Sequence, residues 1–401
     1  MSEEEPFTLV MFQREGLSPV PELAKRRMEE PISRLQYPIG PPVWLLTRYD
    51  DARAVLGDSD RFSNDYSKLT AGDGLEMLAE MNPGGLGFTD PPDHTRLRKM
   101  LTPEFTMRRL RRLETRIDAI ITERLDAMEA EMAATGGPVD IVDLFAVPIP
   151  SLVISELLGV PYPDRAEFQK LSESRFDFLG DIMGCLAAVQ DTLDYLSELV
   201  KEQRRNPGDN LLGMLVREHG DNISDEELTG LADGILIGGH ETTASMLALG
   251  ALHLMTEPEH AALVRDGSDK DVNAVVEELL RFLTVVQVAF PRVALEDVEI
   301  AGHTIKAGEL ALCSLSGANR DPKLGVNVDQ VQPHRPLPSH VAFGYGLHRC
   351  VGAELGRLEL RMAYPALLRR FPNLRLAVPF EDLTFRELSI VYGVEKLPVT
   401  W

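Results

Sequence analysis

Apolar residues recur every three to four positions through 106–133, 149–158, 163–205, 209–218, 224–256, 270–283 and 351–370, a spacing that predicts helices. Strand-like composition is confined to short runs: 43–47, which leads into a short helical pattern at 49–56, then 285–293, 298–301, 310–314 and the tail near 388–399. These runs are too few and too scattered for a doubly wound sheet, so a mainly α, multihelical fold with small peripheral β-sheets is expected. Between 67 and 92 the periodicity lapses and Pro83, Gly84, Gly85, Gly87, Pro91 and Pro92 accumulate, predicting a long loop able to cover a pocket. No repeat, low-complexity tract or linker divides the chain, and a single domain over 1–401 is the expectation.

With 401 residues and 44% hydrophobic composition, the chain can enclose a large cofactor and a substrate beside it. Its net charge of -22 repels nucleic acid and anionic membranes, pointing to a soluble cytoplasmic protein with no nucleic-acid or membrane partner. The acidic amino terminus leads into no signal-like apolar core, and no apolar run reaches the ~18 residues of a membrane span. Cys185, Cys313 and Cys350 are too few and too dispersed for a disulfide framework, which indicates a reducing compartment. A functional cysteine would act alone.

Two segments break the helical pattern in ways that suggest chemistry. The first, 343–352, sets Cys350 after a glycine-rich turn and before the amphipathic run 351–370. A thiolate there would be favoured by the helix dipole and by close backbone approach at glycine. A buried structural cysteine is the plain alternative. Zinc is another, although the close pair His348 and Cys350 has no companion pair at finger spacing. Cys185 and Cys313, in apolar stretches, are expected to be core residues.

The second lies in the middle of the run 224–256, which opens with the capping box Ser224-x-x-Glu227 and is followed by Pro258. There the sequence reads Gly238-Gly239-His240-Glu241-Thr242-Thr243, although each glycine costs a helix about 1 kcal/mol. A packing notch would explain the glycines but not the acid. A zinc-protease helix is ruled out because Ala244 stands where the second histidine is required.

The segment 343–352, Phe-Gly-x-Gly-x-His-x-Cys-x-Gly, resembles the haem-binding signature of the cytochrome P-450 superfamily at every fixed position, in the soluble bacterial type. The resemblance implies haem b between the long helix and the helix after the cysteine, with Cys350 as axial ligand, Phe343 shielding it, and Gly344 and Gly352 shaping the loop. By the same resemblance, Gly238 and Gly239 leave room for dioxygen, while Glu241 and Thr242 relay protons to it. Glu278 and Arg281, three apart on one helix, match the superfamily's Glu-x-x-Arg anchor with Arg335 as third partner, where spacing alone allows a surface ion pair. The stretch 323–330 departs from the usual pattern, lacking its aromatic and Asp-Pro residues. His94, Arg98, Arg292 and His348 are the implied clamps for the haem propionates.

The implied activity is hydroxylation or epoxidation of a hydrophobic small molecule such as a macrolide, terpenoid or steroid. Coupling or desaturation on the same fold is the alternative, and a haem sensor a remoter one. Leu86, Phe88, Ile235, Val288, Ala289, Phe290, Ile390 and Val391 are expected to wall the pocket. Residues 94–116 carry eight Lys or Arg against two Glu, a local charge of +6. Relatives use this surface to receive electrons from a small acidic ferredoxin or flavodoxin served by its reductase, so charge reversal at Arg108 or Arg112 should slow reduction.

Overall fold

The computed structural model describes residues 8–36, 42–68, 85–165, 182–336 and 339–401. These fold as two compact units. One comprises the described residues within Met1–Met81, Ser245–Cys350 and Tyr364–Trp401; the other comprises those within Asn82–Ala244 and Val351–Ala363.

The first unit is built on a mixed five-stranded sheet ordered Ile32–Leu35, Val43–Leu46, Leu310–Cys313, Arg292–Ala294, Phe62–Ser63. Leu310–Cys313, the middle strand, runs parallel to Val43–Leu46 and is buried at all four positions, as expected for an apolar strand covered on both faces. Its core gathers Ile32, Leu46, Tyr49, Val55, Phe62 and Ala311, with the helix Tyr49–Gly57 supplying Tyr49 and Val55. The helix Asp269–Leu283 starts at a capping box of Ser268 and Asp271 and stops at Thr284, which takes a left-handed φ of 39°.

The strand expected over 285–293 is largely irregular, because its amides serve different neighbours: Gln287 donates to the Ile390 carbonyl and Ala289 to that of Cys313, while Pro291 has no amide proton to give. Regular pairing begins only at Arg292–Ala294. In the tail, only Pro398–Thr400 is a strand, paired with Arg375–Leu376.

The second unit is helical, with Asp93–Leu101, Met107–Thr135, Pro148–Leu158, Ile182–Arg205 and Leu211–His219, and the helix Asp225–Thr256 contributes residues up to Ala244. Glu227 and Ser224 exchange the expected reciprocal capping bonds at 2.9 and 3.1 Å. Asp93–Leu101 was not visible in the periodicity, since only His94, Leu97 and Leu101 of its nine residues are buried, too short a repeat to register. Residues 166–181 of the predicted run 163–205, and 69–84 of the predicted loop, lie outside the described residues. Among the described residues no helix is long and apolar enough to cross a membrane.

Candidate active site

The cysteine loop belongs to the first unit. The Cys350 amide donates to the Phe343 carbonyl at 2.9 Å, closing a loop in which Gly344 and Gly346 take φ of 69° and 75°. At Gly346 a Cβ would stand 2.3 Å from the Leu56 carbonyl oxygen, so only glycine lets the loop sit on the end of the helix Tyr49–Gly57. Phe343 and His348 are half-buried, and Cys350 is exposed. Cys313 is buried, which pushes its thiol up to about 12 and leaves it an inert core residue. The side chain of Cys185 lies outside the described residues. The helix after the loop, Ala353–Arg370, starts three positions beyond Cys350 rather than next to it, and Gly352 accepts its first bond, from Gly356 at 2.9 Å.

On Asp225–Thr256, Gly238 and Gly239 differ. A Cβ added at Gly238 would meet nothing within 4 Å, whereas one at Gly239 would lie 2.5 Å from Cδ1 of Ile154. Gly238 therefore borders open space and Gly239 admits a neighbouring helix. Thr242, one turn beyond Gly238, donates its hydroxyl to the Gly238 carbonyl at 2.5 Å, and Glu241 beside it is buried. An exposed thiol on a tight glycine loop suits a metal-bearing cofactor that a single thiolate can hold. The residues present fit haem.

Glu278 and Arg281 are no surface pair. Arg281 Nε and Nη2 donate to the two carboxylate oxygens of Glu278 at 2.7 and 2.9 Å, and both side chains are sealed from water. The remaining Arg281 donors reach the carbonyls of Asn319, Val328 and Gln330 at 2.8–2.9 Å. Glu278 also accepts from the Gln332 amide at 2.8 Å and lies 3.5 Å from Arg335. The unusual side chains of 323–330 do not disturb this arrangement, because backbone oxygens, which every residue has, satisfy the guanidinium. Arg320, unremarked in the sequence, stacks 3.8 Å over Phe282 and donates to its carbonyl.

His94 and Arg98 lie one turn apart on Asp93–Leu101, the first buried and the second half-buried. Arg292 is buried on its strand and donates to the Phe290 carbonyl at 3.2 Å. Among the expected wall residues, Val288, Ala289 and Phe290 are joined to Ile390 and Val391 through the bridge between Val286 and Val391 and the Gln287 amide. In the second unit, Leu86 and Phe88 are half-buried and Ile235 is buried on Asp225–Thr256. Gly85 approaches that helix so closely that a Cβ would lie 2.5 Å from the Gly230 oxygen.

The basic segment 94–116 is partly neutralised within its own unit. Arg112 and Arg109 both reach the buried Glu104, Arg109 also reaches Glu218, Arg116 pairs with Glu156, and Arg96 pairs with Glu227. Lys99, Arg108 and Arg111 are exposed. An open groove of 610 Å³ is lined by Pro91, Pro92, Thr95, Arg96, Lys99, Met100 and His219. None of these residues is among the expected pocket walls.

A family model described as cytochrome P450 matches residues 22–206 and 182–379. The chain is 43% identical to cytochrome P450 FAS1 of Rhodococcoides fascians, over 97% of this chain and 98% of that one. It is 38% identical to the mycinamicin IV hydroxylase/epoxidase of Micromonospora griseorubida across the full length of both. The crystal structure of OxyC, a cytochrome P450 implicated in an oxidative C–C coupling reaction during vancomycin biosynthesis, superposes over the whole of both chains with a TM-score of 0.86 at 38% identity. Likeness of this extent, carried by the entire length rather than by one motif, means that the chain belongs to the cytochrome P450 family and that its chemistry is that of a haem-thiolate monooxygenase.

Proposed function

We propose that the chain hydroxylates or epoxidises a hydrophobic natural product of moderate to large size, such as a macrolide, terpenoid or steroid, with haem b as cofactor. The observation that carries this reading is the exposed Cys350 on the glycine loop of the family signature. When bound, haem supplies the reductive activation of dioxygen and the transfer of one oxygen atom.

Cys350 would hold the iron, and His94, Arg98, Arg292 and His348 would take the propionates, whose charge needs cationic or donor partners in a buried setting. Gly238, one turn before Thr242, borders open space. With its proton directed at the Gly238 carbonyl, the Thr242 hydroxyl presents its lone pairs outward. It can accept a proton or a donor on that side and pass one along, with Glu241 the neighbouring carboxyl from which protons are drawn. The uncharged side chains of Leu86, Phe88, Ile235, Val288, Ala289, Phe290, Ile390 and Val391 would wall an apolar pocket. Both units would then serve one catalytic domain over 1–401.

Electrons would come from a small acidic ferredoxin or flavodoxin and its reductase, attracted by Lys99, Arg108 and Arg111, in the cytoplasm. A second reading, oxidative coupling of a substrate rather than oxygen insertion, is favoured by the full-length likeness to OxyC. The mass of the product separates the two.

The test is to load purified protein with haem, record the spectrum of the reduced carbonyl form, and screen hydrophobic natural products for a shift of the ferric haem to high spin. A thiolate-type band that is lost in Cys350→Ser supports the reading. A chain that takes up no haem refutes it.

A further inference from the structure

Gln287 is sealed from water, and each of its polar groups has a partner. Its side-chain amide donates to the carbonyls of Phe12 and Ser389 at 3.1 and 2.7 Å, and its side-chain oxygen accepts from Nε of Arg14 at 2.8 Å. Its backbone amide donates to the Ile390 carbonyl at 3.0 Å, and its own carbonyl accepts from Leu315 and Ser316. Arg14 extends this junction, reaching the Thr284 carbonyl at 2.9 Å and lying 4.9 Å from the centre of the Tyr392 ring, while the Tyr392 hydroxyl donates to the Gly16 carbonyl at 2.6 Å. Three segments remote in sequence, 12–19, 284–290 and 389–392, are thereby tied together, all within the first unit.

Two of these segments carry large apolar side chains left in water. Phe290 is 53% exposed and Ile390 50%. Exposing such groups is unfavourable unless something apolar covers them in the working state. Phe290 stands three residues after Gln287, and the carbonyl of Ile390 receives the Gln287 amide. The spacing of the two exposed groups is therefore tied to Gln287, whose side chain also holds the Ser389 carbonyl next to Ile390.

We propose that Gln287 is a positioning residue that fixes the spacing of Phe290 and Ile390, and so determines which sizes of hydrophobic ligand the enzyme accepts. The inference rests on the haem-enzyme reading above and adds to it a specific source of selectivity.

The test uses the haem-loaded full chain and two azoles that bind ferric haem: imidazole, too small to touch the wall, and 4-phenylimidazole, which carries an apolar ring towards it. In Gln287→Met the buried carbonyls and Arg14 lose their partner. The 4-phenylimidazole dissociation constant should then rise about tenfold, equivalent to ~1.4 kcal/mol, while that of imidazole stays within about twofold. Arg14→Met should follow Gln287→Met, and it provides the measurement if Gln287→Met does not fold. Arg14→Lys, which can still donate to Gln287 or Thr284, should lie nearer the parent protein. Equal weakening of both azoles, or no change in either at parental haem content, overturns the proposal. A parent protein that forms no haem complex overturns the haem-enzyme reading, and this inference with it.

Discussion

Arg281 and Glu278 are joined by two parallel hydrogen bonds of 2.7 and 2.9 Å across one helical turn, and neither side chain reaches water. A pair so buried is held by its geometry, because removing either partner strands the other charge in a medium that cannot solvate it. Arg281→Met should cost about 3–5 kcal/mol of unfolding free energy, read from urea denaturation. A loss under about 1 kcal/mol, the value of a surface pair, would contradict the assignment.

The same pair sets a pH dependence. Burial alone would raise the Glu278 carboxyl, but the bonds and charge of Arg281, the Gln332 amide and Arg335 more than offset it and hold it below the usual 4.5. The folded value is depressed, so this stabilisation is complete above the unfolded value and is lost as pH falls from 4.5 through the folded value. The stability gap between the parent and Glu278→Gln should be constant above that range and narrow below it.

His253 acts in the same direction over a higher pH range. Burial, and then the His260 ring whose Nδ1 lies 3.0 Å from its Nε2, push it down from 6.5 to about 4. Between those values the unfolded chain binds the additional proton, so stability declines as the solution is acidified, by on the order of 3 kcal/mol at pH 4. His253→Gln should flatten this decline in thermal melts recorded from pH 7 to 4. An unchanged slope would move the effect to another group.

The two central glycines should respond differently to alanine. Gly238→Ala meets no atom and should gain up to about 1 kcal/mol from helix propensity, while crowding small ligands of the haem, seen as weaker carbon monoxide binding. Gly239→Ala drives a Cβ against Ile154 and should lose roughly 1 kcal/mol net, recovered in the double variant with Ile154→Val. Identical behaviour of the two would remove the distinction.

Reduction by an acidic carrier protein should be slowed at low salt by Arg108→Glu and Arg111→Glu, since both residues are exposed. Arg112→Glu is a poorer probe than its place in the basic run suggests, because it faces the buried Glu104 at 3.3 Å and would destabilise the fold. Stopped-flow reduction rates with parallel melting temperatures separate the two effects. Salt-independent rates in every variant would refute electrostatic docking.

Thr242→Ala removes the hydroxyl donated to the Gly238 carbonyl and leaves Glu241 in place. Haem content should be unchanged, while more of the electrons consumed appear as hydrogen peroxide instead of product. Unaltered coupling would show that protons reach the site by another route.

What the amino-acid order determined by itself was whatever rests on neighbours within a turn or two. The capping box of Ser224 and Glu227, the extents of Met107–Thr135 and Asp269–Leu283, and the signature loop ending at Cys350 all depend on bonds that close within ten residues. Local backbone geometry is nearly the same wherever such a segment lies, so the pattern was enough. Tertiary structure decided where distant partners meet. Arg281 took carbonyls 38 to 49 residues away, and Arg14 reached Gln287 across 273 residues. Charges that appeared free along 94–116 were met by Glu218, Glu227 and Glu156, and two adjacent glycines were divided between open space and the side chain of Ile154. Backbone carbonyls are present at every position, and one-dimensional order holds no record of which of them a buried donor will find once the chain closes on itself.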